Sequence, residues 1–171
     1  MRIYRVKEEY IEYLRRFDDT VEENKNEKRP YIGILIQVNE FNYFAPLTSP
    51  KPKHKTMKNQ IDFIKIKDGE LGAINLNLMI PVPLDQLIKF DINKEEEEYR
   101  NLLRNQYRFL KSNKNKIKDK ADNLYEKVVK YNSFVKERCV KFKLLESKCK
   151  DYNEIMQEVA STGIKKLNSF K

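Results

Sequence analysis

Residues 31–58 read YIGILIQVNEFNYFAPLTSPKPKHKTMK, and this stretch contains both the centre of the predicted sheet and the candidate site. Tyr31–Val38 is almost wholly apolar and rich in β-branched side chains, which predicts a buried central strand. Asn39–Asn42 is typical of a hairpin turn, and Tyr43–Leu47 is typical of the returning strand. The stretch therefore predicts an antiparallel hairpin from which the rest of the fold extends.

The loop after this hairpin combines hydroxyl groups with positive charge. Thr48 and Ser49 come first, and His54 is the only histidine of the chain. Four lysines follow within the same loop: Lys51, Lys53, Lys55 and Lys58. No acid occurs from residue 41 to residue 61, and two prolines are expected to hold the loop out of regular structure. A rigid loop dense in donors suits a phosphodiester substrate, and a solvated basic loop is the alternative.

The composition changes between the first and second halves of the chain. All six prolines lie between Pro30 and Pro83, so residues 1–92 are predicted to be a mainly β core. Its one helix is predicted over Glu8–Phe17, where the apolar residues have the spacing of a single helix face. The remaining predicted strands are Arg2–Val6, Ile61–Lys67, Leu71–Val82 and, as a last strand or helical turn, Leu87–Phe90. Five or six short strands indicate a small curved antiparallel sheet or barrel.

From Asn93 onward the chain lacks proline, which predicts a helical part over residues 93–160 and a frayed tail over 161–171. A long helix is predicted from about Glu95, because acids in a first turn suit the helix dipole. Further helices are predicted over Lys114–Tyr131, Phe134–Leu145 and Asp151–Val159. The expected class is thus α+β, with one domain spanning residues 1–171.

The positive charge is concentrated in the helical part. Net charge is +9, yet residues 100–150 alone contain 16 lysines or arginines and 5 acids. This predicts a groove that tracks phosphates of RNA or DNA, and a solvated lysine-rich helix face is the alternative. The lysines expected to contact RNA here are Lys111, Lys114, Lys116, Lys118 and Lys120. No apolar run approaches the roughly 20 residues that span a bilayer, so we expect a cytoplasmic protein without a membrane partner.

The sequence excludes several kinds of site. It contains no P-loop, GxSxG or HExxH motif, and Cys139 and Cys149 form no CxxC pair. With one histidine they cannot complete a zinc site, so we expect two reduced thiols, no metal and no cofactor. RNA cleavage without a metal needs proton transfer and stabilisation of the phosphate oxygens. Thr48 and Ser49 could hydrogen-bond the phosphate, Lys51 could neutralise it, and Tyr10 could donate its hydroxyl or stack on a base.

Five segments carry a more specific signal: KRPYIGILIQV (28–38), YFAPLTSPKPKH (43–54), MKNQIDFIKI (57–66), LGAINLNLMIPV (71–82) and FKLLE (142–146). Together they resemble the ToxN/AbiQ family, the endoribonuclease toxins of type III toxin–antitoxin and phage abortive-infection systems. The resemblance runs from the IYRVKEEYIEYLRRFDD opening to about Tyr152. It implies a compact, SH3-like antiparallel β-barrel core of the Kid/MazF kind, elaborated with helices.

The resemblance also implies an activity and a partner. The activity is metal-independent RNA cleavage by 2′-hydroxyl attack, leaving a 2′,3′-cyclic phosphate on cellular or phage RNA. The partner is a small antitoxin RNA, cut by the toxin itself from a repeat array into pseudoknotted units. Toxin and RNA are expected to close into a ring-like hetero-oligomer.

The family's site residues fall on particular positions of this chain. The catalytic set implied by the resemblance is Ser49, Thr48, Lys51 and Tyr10. Arg29 is assigned to phosphate binding, because arginine is a poor proton-transfer group. The other RNA contacts expected around the loop are Lys53, His54, Lys55, Lys58, Asn75 and Asn77. For His54, a structural hydrogen bond competes with a role in proton transfer.

Two other functions compete with this hypothesis. A non-enzymatic RNA- or DNA-binding module would need only the basic loop and helices. A Kid/MazF-like toxin silenced by a protein antitoxin would share the fold but not the RNA partner.

Overall fold

The computed structural model describes residues 2–38, 41–131 and 133–162, with the backbone alone for 34–38 and 162. Within these residues the strands are β1 (Ile3–Val6), β2 (Tyr31–Val38), β3 (Phe41–Thr48), β4 (Phe63–Lys65), β5 (Ala73–Asn75), β6 (Ile80–Pro81) and β7 (Leu87–Lys89). The α-helices are α1 (Glu8–Arg15), α2 (Pro52–Thr56), α3 (Glu97–Ser112), α4 (Lys114–Lys130) and α5 (Phe142–Thr162). The α+β class and the helical second half are confirmed.

The central hairpin lies where the sequence predicts it. β2 pairs with β3 in antiparallel register, with Tyr31 opposite Pro46 and Ile32 opposite Ala45. The sheet order is β4-β5-β3-β2-β1-β7, and β6 also pairs with β3. Among the described residues this path is open, with β4 at one end and β7 at the other, so the predicted barrel is not confirmed. The first two residues of the predicted turn Asn39–Asn42 and residues 163–171 of the predicted tail lie outside the described residues.

Two predicted strands are shorter in the structure. Ile61–Lys67 contributes only β4, and Leu71–Val82 is divided into β5 and β6 by a 3-10 turn over Leu76–Leu78. The division follows from contacts with another segment, because the Leu76 and Asn77 N–H groups both donate to the Asp62 carbonyl oxygen, at 3.0 and 3.2 Å. Two donors on one carbonyl turn the chain out of the ladder. An alternating sequence pattern does not reveal such a turn.

The helices differ from the predictions in three places. The loop after β3 contains α2, which begins at Pro52 because the fixed φ of proline suits a first helical turn. The predicted helix Phe134–Leu145 is interrupted, since the Val140 N–H donates to the Asn77 carbonyl at 2.9 Å and the Lys141 N–H donates to Asp18 Oδ2 at 2.7 Å. A 3-10 helix over Phe134–Arg138 precedes this attachment to the sheet. The predicted separate helix Asp151–Val159 is part of α5.

A buried polar cluster joins the helical part to the sheet. Glu146 on α5 is 4% exposed, and its Oε1 accepts hydrogen bonds from the hydroxyls of Tyr43 at 2.8 Å and Tyr125 at 2.5 Å. Lys143 Nζ donates to Glu146 Oε2 at 2.9 Å. Buried apolar residues of the strands and helices form one hydrophobic cluster around it, so the sheet and helices share a core. None of the described helices combines the length and apolar character needed to cross a membrane.

Candidate active site

A groove of about 1040 Å³ brings most of the predicted loop residues together. The predicted residues that line it are Arg29, Thr48, Ser49, Lys51, Lys53, His54, Asn75 and Asn77. They come from the segment before β2, the loop after β3, and the region of β5 and the turn that follows it. The sequence-distant lining residues include Arg5, Asp62, Glu95, Tyr99 and Arg138. The groove is therefore built from both halves of the chain.

The loop after β3 is held in place by His54. The imidazole Nδ1 of His54 accepts a hydrogen bond from the Lys51 backbone N–H at 3.3 Å. The backbone N–H of His54 donates to the Lys51 carbonyl at 2.9 Å. The imidazole is 2% exposed and packs against Phe63. Burial lowers the pKa of His54, and the neighbouring charges of Lys53 and Lys51 lower it further. This geometry favours the structural hydrogen bond over proton transfer.

The turn before β5, at Gly69–Gly72, packs against the backbone of the same loop. Gly69 and Gly72 both have φ of +93°. A Cβ on Gly69 would lie 2.5 Å from the His54 carbonyl oxygen, and a Cβ on Gly72 would overlap the Thr48 carbonyl oxygen. Only glycine fits such a close approach in the left-handed region without strain. The loop backbone therefore rests directly on this turn.

Gln106 on α3 joins the turn to the loop. Its side chain is buried, and Nε2 donates to the Leu71 carbonyl at 2.7 Å and lies 3.5 Å from the Thr48 carbonyl. The sequence pattern places Gln106 on the apolar face of the helix, which explains its burial but not its two carbonyl partners. Burying an amide without hydrogen-bond partners is costly. A glutamine on an apolar helix face therefore indicates that buried partners exist, but it does not identify them.

The two hydroxyls of the loop differ in their surroundings. Thr48 Oγ1 donates to the Ala73 carbonyl at 3.4 Å, across the β3–β5 pair. Ser49 is exposed in the groove, and no described residue hydrogen-bonds its hydroxyl. Lys51 and Lys53 are also exposed, without an ion-pair partner among the described residues. Ser49 is thus the hydroxyl free to meet a ligand, beside two free cations.

Arg29 lines the groove but is largely engaged with its own loop. Its Nη2 lies 2.7 Å from Glu22 Oε2, and its Nε donates to the Glu23 carbonyl at 2.6 Å. The side chain is 10% exposed. These contacts hold the segment before β2 in place and leave little of the guanidinium for the predicted phosphate contact.

The segment before β2 has an unusual backbone at the groove. Lys25, Asn26 and Glu27 all have positive φ, at 55°, 53° and 62°. Glu27 Oε1 accepts from the Glu8 N–H at 3.2 Å, and Glu8 Oε2 accepts from the Glu27 N–H at 2.8 Å. Left-handed non-glycine residues cost energy, and this reciprocal pair with α1 holds them in that conformation.

Tyr10 lies away from the groove. Its side chain is fully buried, its hydroxyl donates to the Pro81 carbonyl at 2.7 Å, and its ring packs edge-on against Tyr152. Burial raises the pKa of Tyr10. Tyr10 shares the core face of α1 with Ile11 and Leu14. The structure therefore does not bring Tyr10 together with the other predicted catalytic residues.

Most of the predicted lysines are not among the residues that line the groove. Those that are exposed outside the lining are Lys55, Lys58, Lys111, Lys114, Lys116 and Lys118. Lys120 is half-buried, and its Nζ donates to the carbonyl of the groove residue Phe63 at 3.4 Å. Burial lowers the pKa of Lys120, and Lys116 lowers it further. The side of α4 that carries Lys116 and Lys120 thus reaches the groove at Lys120.

Two further residues of the groove, Asp62 and Arg138, are not predicted from the sequence. Asp62 comes directly after the acid-free run, and Arg138 lies in a separate part of the chain whose position relative to the groove has no local signal. Asp62 Oδ2 is 3.1 Å from Arg138 Nη2. No three histidine, cysteine or acidic side chains of the described part converge as metal ligands would. Cys139 and Cys149 are both free and buried.

The chain is similar to three curated endoribonucleases. Endoribonuclease ToxN of Bacillus thuringiensis subsp. kurstaki is 34% identical, covering 90% of this chain and 84% of the relative. Endoribonuclease ToxN of Pectobacterium atrosepticum is 32% identical over 90% of this chain and 95% of the relative. Endoribonuclease AbiQ of Lactococcus lactis subsp. lactis is 33% identical, with 90% of each chain covered.

Solved structures and a family model agree with these relatives. A type III toxin selectively inhibited by a non-coding RNA pseudoknot has a TM-score of 0.79 at 34% identity, covering 89% of this chain and 97% of that chain. AbiQ, a lactococcal anti-phage endoribonuclease, has a TM-score of 0.78 at 31% identity, covering 90% and 98%. The model for toxin ToxN of type III toxin–antitoxin systems matches residues 2–150. This chain therefore belongs to the ToxN family of type III toxin–antitoxin systems.

Proposed function

We propose that this chain is an endoribonuclease toxin that cleaves RNA in the groove around Ser49, without a metal, by attack of the 2′-hydroxyl on its own phosphate. Endoribonuclease activity is supported by three curated relatives, each matched over 90% of the chain. The observation that carries the assignment to this groove is the exposed Ser49 hydroxyl beside the unpaired Lys51 and Lys53.

The chemistry requires stabilisation of charge on the non-bridging phosphate oxygens. The Ser49 hydroxyl can donate one hydrogen bond to these oxygens, and the Lys51 ammonium can add a positive charge and further donors. The 2′-hydroxyl must also lose a proton while the 5′-oxygen gains one. The product on the upstream fragment is then a 2′,3′-cyclic phosphate, and the downstream fragment begins with a 5′-hydroxyl.

The proposed inhibitor is a small antitoxin RNA cut by the toxin from a repeat array, with which it forms a ring-like hetero-oligomer. Support comes from the solved relatives, one inhibited by an RNA pseudoknot and another from an antiviral system regulated by a processed non-coding RNA. We further propose action on cellular or phage RNA in the cytoplasm, as a single domain. Kinship of the core with the SH3-like Kid/MazF barrel is part of this proposal.

The test uses the purified protein, Ser49→Ala and Lys51→Ala, with Ser147→Ala as control because Ser147 is exposed on α5 outside the groove. Each is incubated with total RNA, with and without EDTA, and the new 3′ ends are analysed. We expect cyclic-phosphate ends from the unmutated protein and the control. Loss of one oxyanion-stabilising donor typically costs about 10²–10³-fold in rate, so both groove variants should be nearly inactive.

The outcomes separate the competing functions. Intact RNA in every sample, from folded protein free of bound RNA, would contradict the ribonuclease and favour a binding module. Cleavage that ceases in EDTA would contradict the metal-free mechanism only. Undiminished cleavage by Ser49→Ala would place the active site elsewhere.

A further inference from the structure

Arg138 reaches the groove from the helical half of the chain. It ends the 3-10 helix Phe134–Arg138, and its carbonyl accepts a hydrogen bond from Asn77 Nδ2 at 2.8 Å. Its guanidinium lines the groove and contacts Asp62 through one nitrogen, at 3.1 Å. The backbone of Arg138 is thus fixed to the sheet, while its side chain projects into the same space as Ser49.

The three arginines that line the groove differ in how much of the guanidinium is available. Arg29 has two protein partners and is 10% exposed. Arg5 is 29% exposed, with Nη2 2.6 Å from Glu95 and its guanidinium 4.4 Å from the Phe90 ring centroid. The Arg138 side chain is 54% exposed, and among the described residues Asp62 is the one acceptor of its guanidinium. Arg138 therefore has the most donors left for a ligand.

Asp62 is arranged to hold this arginine rather than to meet solvent. It is 6% exposed, and its Oδ1 is buried without a hydrogen-bond partner among the described residues. Its carbonyl oxygen is fixed by the Leu76 and Asn77 N–H groups. A buried carboxylate is costly unless it is well paired, and a negative charge beside a phosphate site would by itself repel RNA. Such an acid is explained if its charge orients a cation that the site needs.

We propose that Arg138 binds an RNA phosphate in the groove and that Asp62 is the positioning residue that fixes its guanidinium. The inference rests on the proposed function, since it adds a cation to the same site. A guanidinium anchored at one edge presents its remaining N–H groups in a planar fork that matches two phosphate oxygens. A lysine in the same place would supply the charge without the fork.

The test measures RNA binding in a Ser49→Ala background, so that cleavage does not disturb the equilibrium. The variants are Arg138→Ala, Arg138→Lys and Asp62→Asn, and the matched control is Lys136→Ala, an exposed cation on the same 3-10 helix outside the groove lining. Loss of a charge-assisted bond costs about 1.5–3 kcal/mol, or roughly 10–100-fold in Kd. We expect a loss of that size for Arg138→Ala, a partial loss for Arg138→Lys and little change for the control.

For Asp62→Asn, the direction of the change in RNA affinity distinguishes two roles of the carboxylate. If Asp62 only contributes negative charge to the groove, its removal should tighten RNA binding. If it positions Arg138, binding should weaken, and the effect should largely vanish when Arg138 is already alanine, because coupled residues are non-additive. Tighter binding by Asp62→Asn, or equal losses for Arg138→Ala and Lys136→Ala, would overturn the proposal. Should Asp62→Asn fail to fold by thermal melting, the comparison of Arg138→Ala, Arg138→Lys and Lys136→Ala decides it.

The same variants distinguish failure of this inference from failure of the proposed function. If the protein with intact Ser49 binds RNA without cutting it, the ribonuclease proposal fails while the Arg138 comparison keeps its meaning. If it cuts RNA and Arg138→Ala leaves both Kd and kcat/KM unchanged, Arg138 has no part in the site.

Discussion

His54 has a neutral imidazole that the loop after β3 requires. Its Nδ1 must stay unprotonated to accept the Lys51 N–H, and the ring is 2% exposed beside two lysines. Protonation would remove the acceptor and place a charge in a buried site. The pKa of His54 is therefore lowered, chiefly by burial. Because the Lys51 N–H needs the unprotonated Nδ1 as its acceptor, the loop geometry depends on pH.

We predict that His54 makes folding stability depend on pH. In the unfolded chain the histidine pKa is about 6.5, and in the folded protein it is lower. Between the two values the unfolded state binds more protons, so stability falls as pH decreases. The contribution should be complete above about pH 6.5 and lost as pH falls through the lowered pKa.

Urea unfolding of the protein and of His54→Gln, from pH 7.5 down to pH 5, checks this. The glutamine cannot titrate, so the difference in unfolding free energy between the two proteins should shrink or reverse as pH falls. Parallel curves over the whole range would contradict the assignment.

At individual residues, the sequence predicted which side chains lie together in the groove where they belong to one loop. Ser49, Lys51 and Lys53 occupy alternate positions of one loop, so their convergence needed no tertiary information. Tyr10 was misplaced because an apolar helix face and a substrate-facing side look alike in sequence. Asp62 and Arg138 could not be paired, because their contact depends on how the helical part attaches to the sheet.

At the scale of elements, the Gly69–Gly72 turn sets the position of the loop. Its two glycines lie against the carbonyls of His54 and Thr48, at both ends of the site. Gln106 connects the adjoining Leu71 to Thr48. The loop carrying Ser49 is therefore placed by packing against a second turn as well as by its own prolines.

We predict that Gly72→Ala reduces cleavage more than its loss of stability explains. The new Cβ would overlap the Thr48 carbonyl. The alanine backbone would also have to keep φ at +93°, which costs about 1–2 kcal/mol for an L-residue. Relief of the overlap must move the Thr48–Ser49 backbone, and a misplacement near 1 Å can cost about 10²-fold in rate.

The control is Gly33→Ala on β2, where the added Cβ would meet the Phe44 ring at 3.2 Å and not the loop. Unfolding midpoints and kcat are measured for both at a temperature where each is folded. Equal kcat values for the two variants would show that the turn does not position Ser49.

The elements that the sequence predicted correctly are those with strong local patterns. Both ends of β2 were predicted correctly, because a short apolar run rich in β-branched side chains indicates a buried strand. The break between Arg138 and Phe142 was not predicted, because it depends on hydrogen bonds to Asn77 and Asp18 from distant parts of the chain. The same holds for the turn within residues 71–82.

At the scale of the whole molecule, the charge of α4 continues the groove. Lys116 and Lys120 are one turn apart, and Lys120 contacts the carbonyl of Phe63 in the groove. An RNA strand leaving the groove at this point would meet the exposed lysines of the same helix. The prediction that the basic helical half binds phosphates, rather than forming a solvated face, thus has one contact with the groove in its favour, at Lys120.

We predict that reversal of Lys114, Lys116 and Lys118 to glutamate weakens RNA binding and flattens its salt dependence. Each lost phosphate contact should reduce the slope of log K against log salt by about 0.7 for a single strand. The measurement is a titration across a salt series. The control reverses three exposed lysines outside α4, Lys89, Lys141 and Lys150, for the same change in net charge. Equal slopes in the two triple variants would mean that only net charge matters.

Because the helical half contributes residues to the groove, the groove cannot be complete early in synthesis of the chain. A nascent chain that ends within the β half already carries Ser49 and Lys51, but not Gln106, which supports the loop, or Arg138, which pairs with Asp62. The groove described above is therefore incomplete until synthesis has passed residue 138. If Arg138 and Asp62 act as proposed, a shorter nascent chain carries Ser49 without the complete RNA site.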